Sequence, residues 1–249
     1  MTSSITMGRG LRSALASTDP PIASGGGTTA TAILDWKHPE VVSLTTHIRT
    51  AVEPPAGGDS ATVTALQRAY QIIRDRVRPV YAMNDRLPAS VTLRRAKGSC
   101  SQRMAVLEAI ARALSVPTRV RGLLVDGEFW RPRFATLMPF VPTAVLIAWP
   151  QFHLRDSWLD ISDLFSTAHH GSPFTNAGGE TLFDAIGRGA ARWDHGVCDC
   201  DDPTLQGNLR RDLGTFDSRD ALFDAHGQTL RTGIRIVIDP VFSRWSAGA

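Results

Sequence analysis

The chain is poor in cysteine and lysine and has no long apolar run, and each shortage excludes a class of protein. Three cysteines among 249 residues are too few for a disulfide-bonded framework, which fits a reducing compartment. No apolar stretch approaches the length of a membrane span. Residues 1–30 also lack the apolar segment of a secretory signal, and we predict that they form a flexible tail. Together these features predict a cytoplasmic protein with no membrane contact.

The basic residues are almost all arginine, because only Lys37 and Lys97 are lysine. The formal net charge is only +3, and basic residues are spread among acidic ones along the chain. A nucleic-acid-binding domain would show a dense basic stripe, so this class of partner is not expected. We attribute the preference for arginine to the codon bias of a GC-rich genome.

Apolar residues make up 43% of the chain, enough for a sizeable core, and their spacing predicts helices before strands. The predicted helices cover residues 39–52, 59–77, 88–93, 100–114, 180–188 and 218–226. The predicted strands cover residues 118–125, part of 128–134, 144–154, 157–162 and 234–238. This order predicts an α+β fold with an antiparallel sheet, formed by residues 31–249 as a single domain.

The tripeptide Gly98-Ser99-Cys100 stands directly ahead of an amphipathic helix. A cysteine at a helix start meets the positive end of the helix dipole and unsatisfied backbone N–H groups, which favour thiolate over thiol. We therefore predict that Cys100 is a nucleophile and that its backbone N–H helps to stabilise an oxyanion. Ser99 and Gln102 add polar groups at the same place and are predicted to contact the substrate.

Three segments around Cys100 resemble one known family. They are residues 89–93 (Ala-Ser-Val-Thr-Leu), residues 97–100 (Lys-Gly-Ser-Cys) and residues 113–119 (Ala-Leu-Ser-Val-Pro-Thr-Arg). The pattern resembles the transglutaminase-like branch of the papain-like cysteine enzymes, and it covers residues 35–165 well and the remainder loosely. The resemblance implies N-terminal helices with the nucleophile helix packed on an antiparallel sheet, and it implies Cys100 as the catalytic nucleophile.

The histidine half of the family pattern is altered. The family signature is a strand of the type His-x-Trp-x-Glu, then a hairpin, a tryptophan and an aspartate. When this chain is aligned through Trp149 and Trp158, Ile147 takes the place of the catalytic histidine and Gln151 that of the glutamate. The aspartate position falls on Ser162. Trp149 and Gln151 are predicted to contact the substrate.

A different histidine is needed if a base takes part in the reaction. We predict His153, because it shares a strand and a face with Ile147, and Asp160 as the residue that orients it. Six residues of strand span about 20 Å, so this role requires a bend or bulge at Pro150. Weaker candidates on other segments are His47, His169 and His170.

A thioester substrate removes most of the need for a base, because thiol–thioester exchange is nearly isoenergetic and expels a good leaving group. Some transglutaminase-like proteins are amide synthases in natural-product assembly lines, including antibiotic biosynthesis. The resemblance thus implies acyl transfer from an activated donor, tethered to a carrier protein, to an amine, without a cofactor. The basic residues near the nucleophile are placed to meet a carrier's phosphate or to form a solvated face; they are Arg94, Arg95, Lys97 and Arg103.

Two other functions remain open. One is a hydrolase of the same fold that cleaves peptide or amide bonds with a relocated histidine. The other is a catalytically silent module that keeps the fold to bind a partner, which the loss of histidine at position 147 favours. A third motif, His195 with Cys198 and Cys200, lacks the paired spacing of a structural zinc site. We predict an acidic loop there and no metal.

Overall fold

The computed structural model describes residues 25–51, 59–82, 84–134, 141–168, 174–193 and 205–229. The helices are α1 (Pro39–Ala51), α2 (Asp59–Arg76), α3 (Ala89–Arg95), α4 (Cys100–Ala113), α5 (Arg131–Phe134), α6 (Leu182–Gly187) and α7 (Arg219–His226). The strands are β1 (Arg78–Pro79), β2 (Lys97–Gly98), β3 (Thr118–Asp126), β4 (Ala144–Leu154), β5 (Ser157–Asp160) and β6 (Leu209–Phe216). Short 3₁₀ helices cover Gly127–Trp130, Ile161–Ala168 and Leu205–Asn208. The α+β class predicted from the sequence is confirmed.

The main sheet is antiparallel, with strand order β5-β4-β3-β6. Strands β3 and β4 pair without a register shift from Thr118 opposite Phe152 to Asp126 opposite Ala144. Pro150 causes no bulge, because β5 pairs with β4 only from Gln151 onward, and the N–H that proline lacks is not needed for a ladder at that point. Strand β4 therefore pairs with β3 without a bulge over the whole of residues 144–152.

Helix α4 is the centre of the domain. It contacts the helices α1, α2, α3 and α6 and the strands β3 and β4, and every residue from Gln102 to Arg112 is buried. The buried Arg112 on this helix donates to the hydroxyl of Thr118 at 2.7 Å and to the carbonyl of Asp217 at 2.6 Å. The amphipathic helix predicted from the sequence is thus buried on nearly all sides.

Two strand predictions are wrong. Residues 128–134 form a 3₁₀ helix and then α5, because the Asp126 carboxylate accepts the N–H of Glu128 at 2.9 Å and caps the turn. Pro132 is compatible with the first turn of a helix and has no N–H for a sheet. The strand predicted to reach residue 162 ends at Asp160, and a 3₁₀ helix begins at Ile161. The strand predicted at 234–238 lies outside the described residues.

The described chain is attached to the domain from its first residues. Gly27 forms a two-way bridge with Thr118, with both N···O distances at 3.0 Å. Gly26 has a φ of +68° and lies against the ring of Trp158, where a Cβ atom would come within 2.6 Å of the ring. These contacts begin before the predicted tail boundary at residue 30; residues 1–24 lie outside the described residues. Among the described helices, none is long and apolar enough to cross a membrane.

Candidate functional site

Cys100 is the first residue of α4, and a capping box fixes this helix start. The Ser99 hydroxyl accepts the N–H of Gln102 at 3.3 Å, and the Gln102 side-chain oxygen accepts the N–H of Ser99 at 3.1 Å. The Gln102 amide also donates to the carbonyl of Asn84 at 2.8 Å. The Ser-x-x-Gln spacing signals this cap in the sequence. Ser99 and Gln102 therefore position the nucleophile, while their predicted contact with substrate stays a prediction.

The Cys100 side chain is partly buried and packs against the hydrophobic core. The first N–H groups of a helix have no partner within the helix, and the capping box satisfies those of Ser99 and Gln102. The N–H groups of Cys100 and Ser101 are therefore the ones placed to stabilise negative charge that develops beside the sulfur.

A buried arginine joins the start of α4 to the middle of β4. The Arg219 guanidinium donates to the Ser101 hydroxyl at 3.1 Å and to the Ala148 carbonyl at 3.1 Å. It also forms a salt bridge with Glu108, and both side chains are 0% exposed. Ser101 follows Cys100, and Ala148 follows Ile147. The contact therefore joins the first turn of α4, which carries the nucleophile, to the part of β4 that carries the altered histidine position.

The positions that carry histidine and aspartate in the family pattern are buried and hold residues without a basic group. Ile147 is 7% exposed and pairs with Leu123 of β3. Ser162 is 2% exposed and follows the end of β5, where a continued register would place it opposite Trp149. An isoleucine neither accepts nor returns a proton. These two positions therefore supply no base for Cys100.

Tyr81 and Arg133 form a second polar group near Cys100. Arg133 donates to the Tyr81 hydroxyl oxygen at 3.0 Å and to the Asn176 side-chain oxygen at 2.9 Å. Burial raises the pKa of Tyr81 above its ordinary value; Arg133 opposes the rise, and the charge of Cys100 adds to it. The hydroxyl is thus protonated at neutral pH and lies within electrostatic range of Cys100. Neither residue is recognisable from the sequence, because the two lie far apart along the chain and belong to no recognised motif.

The structure does not bring His153 to Cys100. The His153 N–H donates to the carbonyl of Pro117, in the connection that follows the far end of α4. The 14 residues of α4 separate that end from Cys100 by about 20 Å. The bulge at Pro150 that the base role required is absent, and the imidazole instead contacts the ring of Trp158 edge-on, with centroids 5.0 Å apart.

Asp160 and Gln151 belong to the same distant end of the sheet. They are paired across β4 and β5, and the Gln151 amide donates to the Asp160 carboxylate at 2.7 Å. Arg119 donates to the Gln151 side-chain oxygen at 2.7 Å. The side chains of Asp160, predicted to orient a histidine, and of Gln151, predicted to contact the substrate, are therefore engaged with each other and with Arg119.

Two further side chains that were predicted to contact the substrate or the acyl donor are buried in the core. Trp149 is fully buried and meets Trp193 edge-on at 5.8 Å, so it supports the sheet and has no surface for a substrate. Arg103 is buried as well, lies over the Phe183 ring and forms a salt bridge with Asp184 at 3.6 Å. Arg103 is therefore not one of the basic groups available to an acyl donor.

Of the other described histidines, two have partners of their own and one is exposed. His38 accepts the N–H of Glu40, and His47 is exposed on α1. His226 lies edge-on against Phe216, and burial lowers its pKa. His169, His170 and the motif of His195, Cys198 and Cys200 lie outside the described residues. Within the described ranges, no group of three or more potential ligands is placed to hold a metal ion.

A cavity of about 510 Å³ lies beside the start of α4. Its apolar lining comes from Val80, Ala82 and Leu87. Its polar lining comes from Asn84, Arg95, Lys97 and Gln102. Cys100 itself is not among the lining residues, but Gln102 connects the cavity to the capping box. We call this space the α3–β2 cavity, because Arg95 ends α3 and Lys97 begins β2.

Comparison with protein-family models identifies the architecture. A model described as the transglutaminase-like superfamily matches residues 49–162. Residues 49–162 are therefore assigned to the transglutaminase-like superfamily. The match includes the capped helix with Cys100 and extends through Ile147 to Ser162, so the altered positions lie inside the transglutaminase-like region. The superfamily includes cysteine-dependent acyl-transfer enzymes. Searches of curated proteins and of solved structures gave no significant match.

Proposed function

We propose that this transglutaminase-like protein transfers an acyl group from a thioester to an amine through a covalent intermediate on Cys100. The observation that supports the proposal is a partly buried cysteine on a helix start fixed by a capping box, in a chain that holds Ile147 where the family pattern has a base. A donor that is already activated is the acyl source that such a site can use.

The reaction proceeds in two balanced exchanges. The Cys100 thiolate attacks the thioester carbonyl, the C–S bond to the donor breaks, and the donor leaves as a thiolate. The exchange is nearly isoenergetic, and a thiolate needs no base to begin it. A neutral amine then attacks the acyl-enzyme. A C–N bond forms, the bond to Cys100 breaks, and the proton lost by the amine passes to solvent while Cys100 is released as thiolate.

Hydrogen bonds at the helix start stabilise both tetrahedral intermediates. The backbone N–H groups of Cys100 and Ser101 supply two donors. Arg133 donates to the Tyr81 hydroxyl oxygen at 3.0 Å and so holds the phenol in place. We assign Tyr81 the role of a third donor to the oxyanion, oriented by Arg133.

The competing hydrolase fits the site less well. Cleavage of a peptide or amide expels an amine, which must be protonated as it leaves, and the usual donor is histidine. Among the described residues, the histidines lie away from Cys100, and Ile147 fills the family's histidine position.

The silent binding module remains the second candidate, since both Ile147 and Ser162 lack the chemistry of the residues they replace. This candidate predicts a cysteine that forms no acyl adduct. The two candidates therefore differ in whether the sulfur of Cys100 forms an acyl adduct.

The test is product analysis with a short acyl thioester that carries no phosphate, incubated with and without a primary amine. We expect amide to form only with the amine, and we expect Cys100→Ala to abolish it while His153→Gln retains it. Release of free acid at the same rate with or without amine would indicate the hydrolase. No product and no released thiol from the wild type would indicate the silent module.

Removal of the Tyr81 hydroxyl tests the assigned oxyanion donor. We expect Tyr81→Phe to slow acylation of Cys100 by about 10²-fold, the usual effect of deleting one such donor. The chain's other tyrosine is a matched control. The Tyr70 hydroxyl donates to the carbonyl of Phe183 at 2.6 Å, so Tyr70→Phe should cost about 1 kcal/mol of stability and leave the acylation rate unchanged. Equal acylation rates in both variants would rule out the role of Tyr81.

A further inference from the structure

The α3–β2 cavity carries two cationic groups whose charge is not balanced. Arg95 and Lys97 both line it, separated by Ala96, and neither forms a salt bridge with a described residue. No carboxylate is found among its described lining residues. Two positive charges on one cavity wall repel each other, and an anion placed between them removes that repulsion.

The rest of the lining suits an extended organic group. Val80, Ala82 and Leu87 supply apolar surface, and a volume of about 510 Å³ lies within the ordinary range of small-molecule sites. Asn84 also lines the cavity and adds a side-chain amide. A ligand with an anionic end and a partly apolar, amide-bearing body matches this combination.

The position of the cavity connects it to the nucleophile. Lys97 lies three residues before Cys100 and Gln102 two residues after it, and the Gln102 side chain is part of both the cavity wall and the capping box. A ligand in the cavity therefore lies beside the helix start on which Cys100 stands.

We infer that the α3–β2 cavity binds the phosphate-bearing arm of the thioester donor, with its phosphate between Arg95 and Lys97. The inference rests on the proposed function for the identity of the donor, and on the cavity alone for the binding of a phosphate. The chemical class is a phosphorylated pantetheine-type thiol, whose chain holds amide groups and whose end is anionic.

Arg95 also lies in the last turn of α3, where a cation complements the negative end of a helix dipole. Arg94 shares that turn but does not line the cavity. Arg94→Gln is therefore a matched control, because it removes a charge from the same helix end without changing the cavity.

The experiment measures binding by calorimetry, with 4′-phosphopantetheine and pantetheine as probes. We expect 4′-phosphopantetheine to bind at least tenfold more tightly than pantetheine, because a charge-assisted hydrogen bond exceeds the 1.4 kcal/mol that corresponds to about tenfold. Arg95→Gln and Lys97→Gln should each raise the Kd about tenfold, while Arg94→Gln should leave it unchanged. Equal binding of the two probes, or equal effects of Arg94→Gln and Arg95→Gln, would overturn the inference.

Two further measurements distinguish a free donor from one tethered to a carrier protein, and the cavity proposal from the proposed function. Tighter binding of coenzyme A than of 4′-phosphopantetheine would indicate a free coenzyme thioester, and weaker binding would indicate an arm tethered to a carrier protein. Cys100→Ala should bind 4′-phosphopantetheine as the wild type does, since the sulfur does not line the cavity. Binding of 4′-phosphopantetheine by a protein that forms no acyl adduct would support the cavity proposal and contradict the proposed function. An acyl adduct without binding of 4′-phosphopantetheine would support the proposed function and contradict the cavity proposal.

Discussion

Arg219→Met should lower the free energy of unfolding by about 3–5 kcal/mol, because it leaves the Glu108 carboxylate buried without its partner. Arg219 and Glu108 are both 0% exposed. The variant also removes the hydrogen bonds to the Ser101 hydroxyl and the Ala148 carbonyl. Chemical denaturation followed by circular dichroism measures the change.

The control is an exposed pair of the same type. Arg86 and Asp224 are 2.6 Å apart on the surface, and exposed pairs contribute only about 0–1 kcal/mol, so Arg86→Met should have a small effect. The double variant Glu108→Leu/Arg219→Met removes both charges and should recover much of the lost stability. A loss below about 1 kcal/mol in Arg219→Met would contradict the assigned role of the pair.

Ile147→His should restore a base beside the nucleophile and increase the rate of acyl transfer by about 10²-fold or more. The reason is geometric. Arg219 links Ser101, which follows Cys100, to Ala148, which follows Ile147, so we expect a histidine at position 147 to reach the sulfur of Cys100. The pH profile should gain an ionisation near that of histidine. Adding Ser162→Asp should raise the rate further by orienting the imidazole.

A matched control lies on the same strand and face. Val145 is two residues from Ile147 and partly buried, so Val145→His introduces the same group away from Cys100. We expect Val145→His to leave the rate and pH profile unchanged. If a folded Ile147→His variant behaves like Val145→His, position 147 does not face the nucleophile, and the alignment through Trp149 fails.

Local patterns in the sequence predicted most of the architecture. Helix α4 was predicted at 100–114 and ends at Ala113, because its apolar spacing and the downstream Pro117 are both local signals. The segment 128–134 failed because the Asp126 cap outweighed its apolar residues. Arg133 lies in the helix that this segment forms, so the wrong strand assignment also prevented its recognition as a residue of the site.

The composition of the site was less predictable, because its contacts join residues distant in sequence. Glu108 and Arg219 are separated by 111 positions, and neither belongs to a motif. His153 satisfied the periodicity of a strand face, but periodicity does not report distance along the strand, and β4 has no bulge that would shorten that distance. Tyr81 was missed for the same reason as Arg219. Only Cys100 and its cap combined a local signal with a position in the site.

The most direct test of the central claim is the intact mass of the protein after brief exposure to an acyl thioester without amine, followed by identification of the modified peptide. The account predicts one acyl group per chain, located on Cys100, absent from Cys100→Ala and still present in His153→Gln. An unmodified wild-type protein, an acyl group on another residue, or an adduct that requires His153 would contradict it.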